Sequence, residues 1–153
     1  SSGLHHLAYE LVYNSVDEAL AGYCTQVRVL VHKDGSLSVA DDGRGIPVDP
    51  KPSGKSTLEE ALTIVGTSAK FDNAAYKVSA GLHGMGAKAV NALSEWMEAE
   101  VRRNGRVYKI EFEQGKATSD LQDLGPAPAG ETGTQITFKP DPEKFGDLKF
   151  TFD

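Results

Sequence analysis

The stretch ADDGRGIP, residues 40–47, places two carboxylates and two glycines directly after a short run that predicts a β-strand. Asp-Asp-Gly is a common turn sequence, so one interpretation is a simple reversal of the chain. The other is a carboxylate fixed at a strand end, where it accepts a hydrogen bond from an exocyclic amine while glycine lets a flat base approach the backbone. Alone, these residues leave both interpretations open.

The residues before this stretch predict one helix and one hairpin. Apolar residues recur at every third or fourth position over residues 4–21, which predicts an amphipathic helix that Gly22 ends. Residues 27–32 and 37–40 predict two strands, joined by a tight turn at Asp34-Gly35.

The residues after the stretch begin with an irregular, proline-rich connection over residues 46–56. Thr57 predicts the N-cap of a short helix, with a capping box to Glu60. Residues 66–86 form a long connection without periodicity, which favours a functional lid. Residues 87–93 again predict a helix.

The last third of the chain predicts three strands and a surface loop. The strands cover residues 96–103, 106–113 and 134–139, and the loop covers residues 125–130. Asn104-Gly105 is a strong hairpin signal between the first two strands. Helices packed on one face of a mostly antiparallel sheet give an α+β two-layer sandwich.

The composition restricts the classes of protein that this chain can belong to. At 153 residues it is the size of one domain, and we expect residues 1–153 to form one. A net charge of -6 argues against a surface that binds nucleic acid by itself. The lone Cys24 and the absence of an export-like stretch favour a cytoplasmic location. The abrupt start and end suggest a piece of a longer protein.

Four polar residues of the first predicted helix share one face, because they lie at spacings of four, four and three: His6, Glu10, Asn14 and Asp17. A solvated face is the plainer interpretation. The mixture of imidazole, carboxylate and amide beside the apolar stripe instead favours a site. A carboxylate can activate a water molecule, and an amide oxygen can hold Mg²⁺.

A glycine-dense segment, GLHGMG at residues 81–86, precedes the second long helical pattern. Its glycine order differs from that of the dinucleotide fingerprint. It leads into a helix N-terminus, where free N–H groups favour an anion such as phosphate. GKS at residues 54–56 resembles the end of a P-loop, but Asp49 stands where the first glycine is needed, so we reject it.

Taken in order, four motifs resemble the Bergerat ATP-binding fold that gyrase, heat-shock chaperone, histidine kinase and MutL ATPases share. They are Glu10-x-x-x-Asn14, Asp41-x-Gly43-x-Gly45, Gly81-x-x-Gly84-x-Gly86 and Thr134. Longer runs are similar to the ATPase domain of type II topoisomerases, found in gyrase B and in its topoisomerase IV counterpart. These runs include GLHHL (3–7), VDEALAG (16–22), DGRGIP (42–47) and VNALS (90–94).

The resemblance implies a role for each matching residue of the first helix and for the metal. Glu10 would be the general base that deprotonates the attacking water, and His6 would position that water. Asn14 would coordinate the Mg²⁺ that bridges the phosphates of ATP.

The resemblance also implies how adenine is bound. Asp41 would accept a hydrogen bond from the adenine amine, with a water shared between Gly45 and Thr134. Arg44 would stack over adenine and pair with Glu18. Further nucleotide contacts would come from Gly43, Ile46, Pro47, Gly81, Leu82, His83, Gly84, Met85 and Gly86, and from the lid residues Lys70, Tyr76 and Lys77. Arg103 would contact aminocoumarin-type inhibitors at the mouth of the pocket.

The chain departs from the family pattern at several positions. Tyr13 stands where the family has a carboxylate, and Ala69 and Ala80 stand where it has glycine, which implies a stiffer lid. The arm that exchanges between protomers and the following transducer domain are absent, so we expect this piece to bind ATP or ADP and hydrolyse it slowly.

The implied partners belong to the longer protein. It would homodimerise, pair with a DNA-cleaving subunit and contact DNA mainly through other domains. The alternatives are a MutL-like ATPase and a non-catalytic module that senses ATP.

Overall fold

The structure, a computed structural model, describes residues 2–63 and 86–145. Its helices are α1 (Ser2–Leu20), α2 (Thr57–Leu62), α3 (Gly86–Ala92) and α4 (Pro142–Phe145). Its strands are β1 (Val27–Val31), β2 (Leu37–Asp41), β3 (Ser94–Arg103), β4 (Arg106–Glu113), β5 (Lys116–Ala117), β6 (Gln122–Pro126) and β7 (Gly133–Pro140).

The described strands form one antiparallel sheet with the order β1-β2-β7-β3-β4-β5, in which β6 also pairs with β4. The last long strand, β7, therefore lies in the middle, between β2 and β3. Its register with β2 sets Thr134 opposite Asp41. This pairing brings two of the predicted site residues together at one end of the sheet.

The helices cover one face of the sheet, as the α+β two-layer sandwich predicts. Leu7 and Leu11 of α1, Leu58 of α2 and Val90 of α3 pack on that face. The sheet contributes Leu37, Val39, Met97, Ala99, Val101, Ile110, Phe112, Ile136 and Phe138 to the same core. Removing a fully buried side chain of this size from water stabilises the fold by about 1.5 to 3 kcal/mol.

Local turn signals position the strands as expected. Asn104 and Gly105 both have positive φ, 57° and 74°, as the tightest hairpin turns require. Gly22, with φ 88°, follows the end of α1, and the N–H of Tyr23 closes that end by donating to the carbonyl of Glu18 at 3.0 Å. Both predictions are confirmed.

Two local predictions were wrong. The N-cap of α2 is Ser56, whose Oγ accepts from the N–H of Glu59 at 3.0 Å, and Thr57 is the first helical residue. The predicted loop over residues 125–130 overlaps β6, because the outer edge of β4 offers a partner. Pro126 is tolerated there since an edge strand does not need every N–H.

Two further sequence predictions concern the chain as a whole. No helix among residues 2–63 and 86–145 is long and apolar enough to cross a membrane. Cys24 lies buried between α1 and β1, where its thiol donates to the carbonyl of Gln26 at 3.3 Å. The predicted lid, residues 66–86, falls outside the described residues except for Gly86.

Candidate functional site

A cavity of about 290 Å³ opens between α1 and the adjacent ends of β2 and β7. Its polar lining residues are Asn14, Ser15, Glu18, Asp41, Arg44, Arg103 and Thr134. Its apolar or backbone-lined walls come from Leu11, Val39, Gly45, Ile46, Pro47 and Ile136. A mostly apolar hollow with a few fixed polar groups is the usual form of a small-molecule site.

Asp41 is the carboxylate of this cavity that is held most firmly. Its Oδ1 accepts from the N–H groups of Gly43 at 3.0 Å and Thr134 at 3.3 Å, while its Oδ2 accepts from the hydroxyl of Ser15 at 2.7 Å. The following turn, strand β7 and α1 each supply one donor. The carboxylate is therefore pre-positioned as an acceptor facing the cavity.

An ion pair lies beside the cavity. Arg44 donates to Glu18 through its Nη2 at 2.6 Å and its Nε at 3.2 Å, and its own N–H also donates to Glu18 at 2.9 Å. The guanidinium hydrogen bonds hold the pKa of Glu18 below its ordinary value and raise the pKa of Arg44. The expected pairing of Arg44 with a helix acid is thus present.

One face of the Arg44 guanidinium lies over the ring of Tyr23, with Cζ 3.8 Å from the ring centroid. Tyr23 is half exposed and follows the end of α1. Attraction between a cation and an aromatic face steadies the guanidinium. The plane of Arg44 is therefore fixed from two directions, by the carboxylate of Glu18 and by this ring.

The turn after Asp41 closes the side of the cavity opposite α1. Gly45 has φ 82°, and a Cβ at this position would lie 2.7 Å from the carbonyl oxygen of Arg102, so a side chain there is excluded on both grounds. The N–H of Ile46 donates to the hydroxyl of Thr134 at 3.0 Å. Arg103 donates to the carbonyl of Gly45 at 2.8 Å.

The predicted polar face of α1 divides in the structure. Asn14 lines the cavity, and Glu10 is buried one turn before it, with 3% of its surface exposed. His6 is partly buried and meets the ring of Tyr9 at 6.5 Å between centroids. Asp17 is exposed. Of this face, the structure places Asn14 in the cavity wall.

Glu10 packs against the first residue of α3. A Cβ added to Gly86 would lie 2.2 Å from Oε2 of Glu10 and 2.9 Å from its Cβ. Gly86 has no positive φ, so the reason for a glycine here is close approach rather than backbone conformation. Position 86 is therefore adjacent to the predicted general base.

Several predicted residues lie outside the described part of the chain. These are Lys70, Tyr76, Lys77, Gly81, Leu82, His83, Gly84 and Met85. Their nucleotide contacts stay predictions.

Sequence reasoning missed several residues of this region. Ser15 gave no signal, because a lone serine in a helix is ordinary. The apolar wall residues Leu11, Val39 and Ile136 were visible as core positions, yet nothing in their pattern distinguished a cavity wall from the core. Tyr23 lies next to a predicted helix end, and its contact with Arg44 depends on tertiary structure.

The arrangement suits a flat, polar-edged ring. Asp41 accepts from a donor on the edge of the ring, and the apolar walls take its faces. Arg44 provides a positive, planar group beside the opening. Among residues 2–63 and 86–145 there is no group of three or more His, Cys, Asp or Glu side chains that could hold a metal ion by themselves.

Comparison with known proteins agrees with this geometry. The sequence profile of the family described as histidine kinase-, DNA gyrase B-, and HSP90-like ATPase matches residues 1–144. The gyrase B protein of Thermus thermophilus DNA gyrase is 54% identical over 149 residues, which cover 97% of this chain and 24% of that protein. For the gyrase B protein of Thermotoga maritima the identity is 50%, covering 97% and 23%.

Two solved structures share the fold. The 43K ATPase domain of Thermus thermophilus gyrase B, crystallised in complex with an aminocoumarin, superposes with a TM-score of 0.82 at 46% identity, covering 97% of this chain and 36% of that one. The topoisomerase IV ATP binding domain of Francisella tularensis, in complex with a small molecule inhibitor, gives 0.81 at 38% identity, covering 97% and 69%. The chain spans about a quarter of the length of the curated relatives it matches.

Proposed function

Since this chain belongs to the histidine kinase-, DNA gyrase B-, and HSP90-like ATPase family, we propose that it is the ATP-binding and ATP-hydrolysing module of a bacterial type II DNA topoisomerase. One observation carries the proposal. Asn14, Asp41, Thr134 and the Arg44–Glu18 pair all line one cavity, whose walls are otherwise apolar.

Adenine would be recognised through its exocyclic amine. Asp41 offers a fixed acceptor, held by three donors, and Val39, Ile46 and Ile136 form apolar walls around the ring. A site built to accept from an amine discriminates strongly against a base that lacks it, because its buried acceptor is then left unpaired. Arg44 would cover the ring from the side of the opening.

Glu10 would act as the general base toward the attacking water. It is buried, it lies one helical turn before Asn14, and it contacts the position that begins α3. A carboxylate excluded from bulk solvent is a stronger base than an exposed one, since burial disfavours its charged form. His6, a further turn away, would orient the water.

A magnesium ion would be held mainly by the nucleotide. Mg²⁺ keeps several waters and takes one or two protein oxygens together with substrate phosphates. A single amide, Asn14, at the cavity wall fits that donor set. When bound, the ion would neutralise charge on the phosphates.

The wider role belongs to the longer protein that this domain is part of. There, ATP binding would drive closure of a homodimer that also carries a DNA-cleaving subunit, and closure would be coupled to passage of one DNA segment through another. DNA would be held mainly by other domains. We place the protein in the cytoplasm, where its nucleotide and DNA are found.

Aminocoumarins would compete with ATP for the same cavity. Arg103 lines it and is held over the turn by the carbonyl of Gly45, so it presents a positive group at the opening. The similar gyrase B domain was crystallised with an aminocoumarin, which supports this proposal.

Two substitutions test the proposal. Asp41→Asn keeps the shape of the side chain but replaces an acceptor by an amide, and we expect the Kd for ATP to rise by about 10²-fold or more in isothermal titration calorimetry. Asp42→Asn is the matched control, because it changes the adjacent carboxylate outside the cavity. Normal ATP binding by Asp41→Asn would show that the adenine assignment is wrong.

Glu10→Ala separates binding from hydrolysis. In the full-length protein, we expect ATP affinity to be retained and ATP turnover to fall by about two to four powers of ten, as is typical for loss of a general base. Turnover is measured together with DNA supercoiling. A variant that still hydrolyses ATP at the normal rate contradicts the role of Glu10, and a wild-type protein that binds ATP without turnover favours a sensor.

A further inference from the structure

We propose that Ser15 is a positioning residue that sets the preference of the cavity for a purine with an exocyclic amine. The inference rests on the proposed ATP-binding function and adds a residue to it. Ser15 lies on α1, directly after Asn14, and only 3% of its surface is exposed. Its hydroxyl donates to Oδ2 of Asp41 at 2.7 Å, across 26 residues of chain.

The hydrogen bond from Ser15 completes the set of groups that hold the Asp41 carboxylate. An ionised carboxylate has about four acceptor positions. The N–H groups of Gly43 and Thr134 take two of them on Oδ1, and Ser15 takes one on Oδ2. Within the described part of the chain, one position on Oδ2 is left for a ligand. That number suits a single N–H of an amine.

The hydroxyl also restricts rotation of the carboxylate. The terminal torsion of aspartate is broad, so two donors on the same oxygen leave the other oxygen able to swing. A donor on Oδ2 from a different element, α1, removes that freedom. The cavity then meets its ligand with an acceptor already in place, which reduces the ordering that binding requires.

The local structure of α1 offers a different partner that Ser15 does not use. Within a helix, a serine hydroxyl commonly bonds back to the carbonyl four residues earlier, as Ser94 does with Val90 at 2.6 Å. Ser15 instead reaches Asp41 of β2. Its hydroxyl is thereby committed to the cavity carboxylate rather than to its own helix.

A purely structural role, tethering α1 to β2, has to be distinguished from this one. Both roles predict that loss of the hydroxyl lowers stability. Only the positioning role predicts that the loss is selective for ligands whose amine contacts Asp41. The discriminating probe is purine riboside triphosphate, which carries the same phosphates and ribose as ATP but no exocyclic amine.

The experiment measures the Kd of ATP and of purine riboside triphosphate by isothermal titration calorimetry, for wild type, Ser15→Ala and Ser15→Cys. We expect the Kd for ATP to rise by about three- to tenfold, the range of one intramolecular hydrogen bond. The Kd for the amine-free nucleotide stays unchanged, so the preference for ATP falls by the same factor. Cysteine keeps a similar shape and donates weakly, so it behaves like alanine and excludes a packing effect.

Ser38→Ala is the matched control. Ser38 is equally buried, with 3% exposed, and its hydroxyl pairs with that of Thr137 at 2.6 Å. It lies on β2 as Asp41 does, but strand alternation sends its side chain to the opposite face of the sheet. We expect neither Kd to change. Thermal unfolding of every variant checks that each one is folded.

Three outcomes overturn the proposal. An equal loss of affinity for both nucleotides in Ser15→Ala and Ser15→Cys assigns Ser15 a structural role only. Unchanged or tighter ATP binding shows that the hydroxyl does not position Asp41 productively. A wild-type protein that binds neither nucleotide overturns this inference together with the proposed function, whereas the first two outcomes leave ATP binding itself intact.

Discussion

The two sides of the end of β2 carry adjacent carboxylates in different surroundings. On the inner side, Asp41 accepts from Ser15, Gly43 and Thr134 and faces the cavity. On the outer side, Asp42 is exposed, and it accepts from the hydroxyl and N–H of Thr25 and from the N–H of Gln26. Asp42 therefore closes the connection between α1 and β1.

The difference shows that being held by several donors does not by itself make a carboxylate a binding group. The hydrogen bonds from Thr25 and Gln26 hold the pKa of Asp42 well below its ordinary value, yet these partners are all parts of one turn. Asp41 is instead held by three separate elements around an apolar-walled hollow. The side of the strand, rather than the number of donors, decides which carboxylate is available to a ligand.

The largest effect we expect on the inner side comes from packing. Gly86→Ala places a methyl group against the carboxylate of Glu10, so that the proposed base is displaced while Asp41 is untouched. In the full-length protein we expect ATP turnover to fall by about 10²-fold or more, with the KM for ATP nearly unchanged. Steady-state kinetics with ATP give both values.

Gly115→Ala is the control for Gly86→Ala, since its Cβ would also be too close to a neighbour, 2.9 Å from Cα of Ala92, but far from Glu10. It should lower stability without a selective fall in turnover. Equal turnover in Gly86→Ala and wild type would show that the inner side tolerates a shift of Glu10.

On the outer side, Asp42→Asn should lower the midpoint of thermal unfolding by several degrees and leave the Kd for ATP unchanged. The pKa of Asp42 is depressed in the folded protein, so its stabilisation is present above the unfolded pKa of about 4 and is lost as the pH falls below it. The difference in unfolding midpoint between wild type and variant should therefore shrink from pH 7 toward pH 3.

Thermal scans at a series of pH values measure that difference. A constant difference across the range would contradict the assignment of the stabilisation to the charged form of Asp42. Weakened ATP binding in Asp42→Asn would show that the two sides of the strand end are coupled.

The smallest effect should come from the rim of the cavity. Tyr23→Leu removes the ring under Arg44, and we expect the Kd for ATP to rise by roughly two- to fivefold, the range of an exposed cation–π contact. Tyr23→Phe keeps the ring and should bind as wild type. In an Arg44→Ala background, Tyr23→Leu should add nothing, and an undiminished effect there would mean that Tyr23 acts by another route.

Local chemistry made much of this molecule predictable. The shared face of Glu10 and Asn14 follows from helical spacing, and the β3–β4 hairpin follows from Asn104-Gly105, since both depend on neighbours in sequence. The resemblance to the ATPase family supplied what spacing could not, including the roles of Asp41 and Thr134. Those two residues are 93 positions apart.

What escaped prediction depended on contacts between distant parts of the chain. Ser15 and Tyr23 acquire their roles from Asp41 and Arg44, and no local pattern announces such pairs. The strand β6 forms because β4 offers an edge, although Gly125 and Pro126 are turn-forming residues. The cap at Ser56 was misplaced by one residue because Thr57 is an equally good capping type.

The central position of β7 has a consequence for how the protein is made. The hairpins β1–β2 and β3–β4 are synthesised first, but each waits for β7 before they can join into one sheet. A nascent chain that has not yet released residues 133–140 from the ribosome has no finished wall around Asp41. Its apolar sheet face stays uncovered during that interval, so the slow step of biogenesis and the risk of aggregation both fall at the end of translation of this segment.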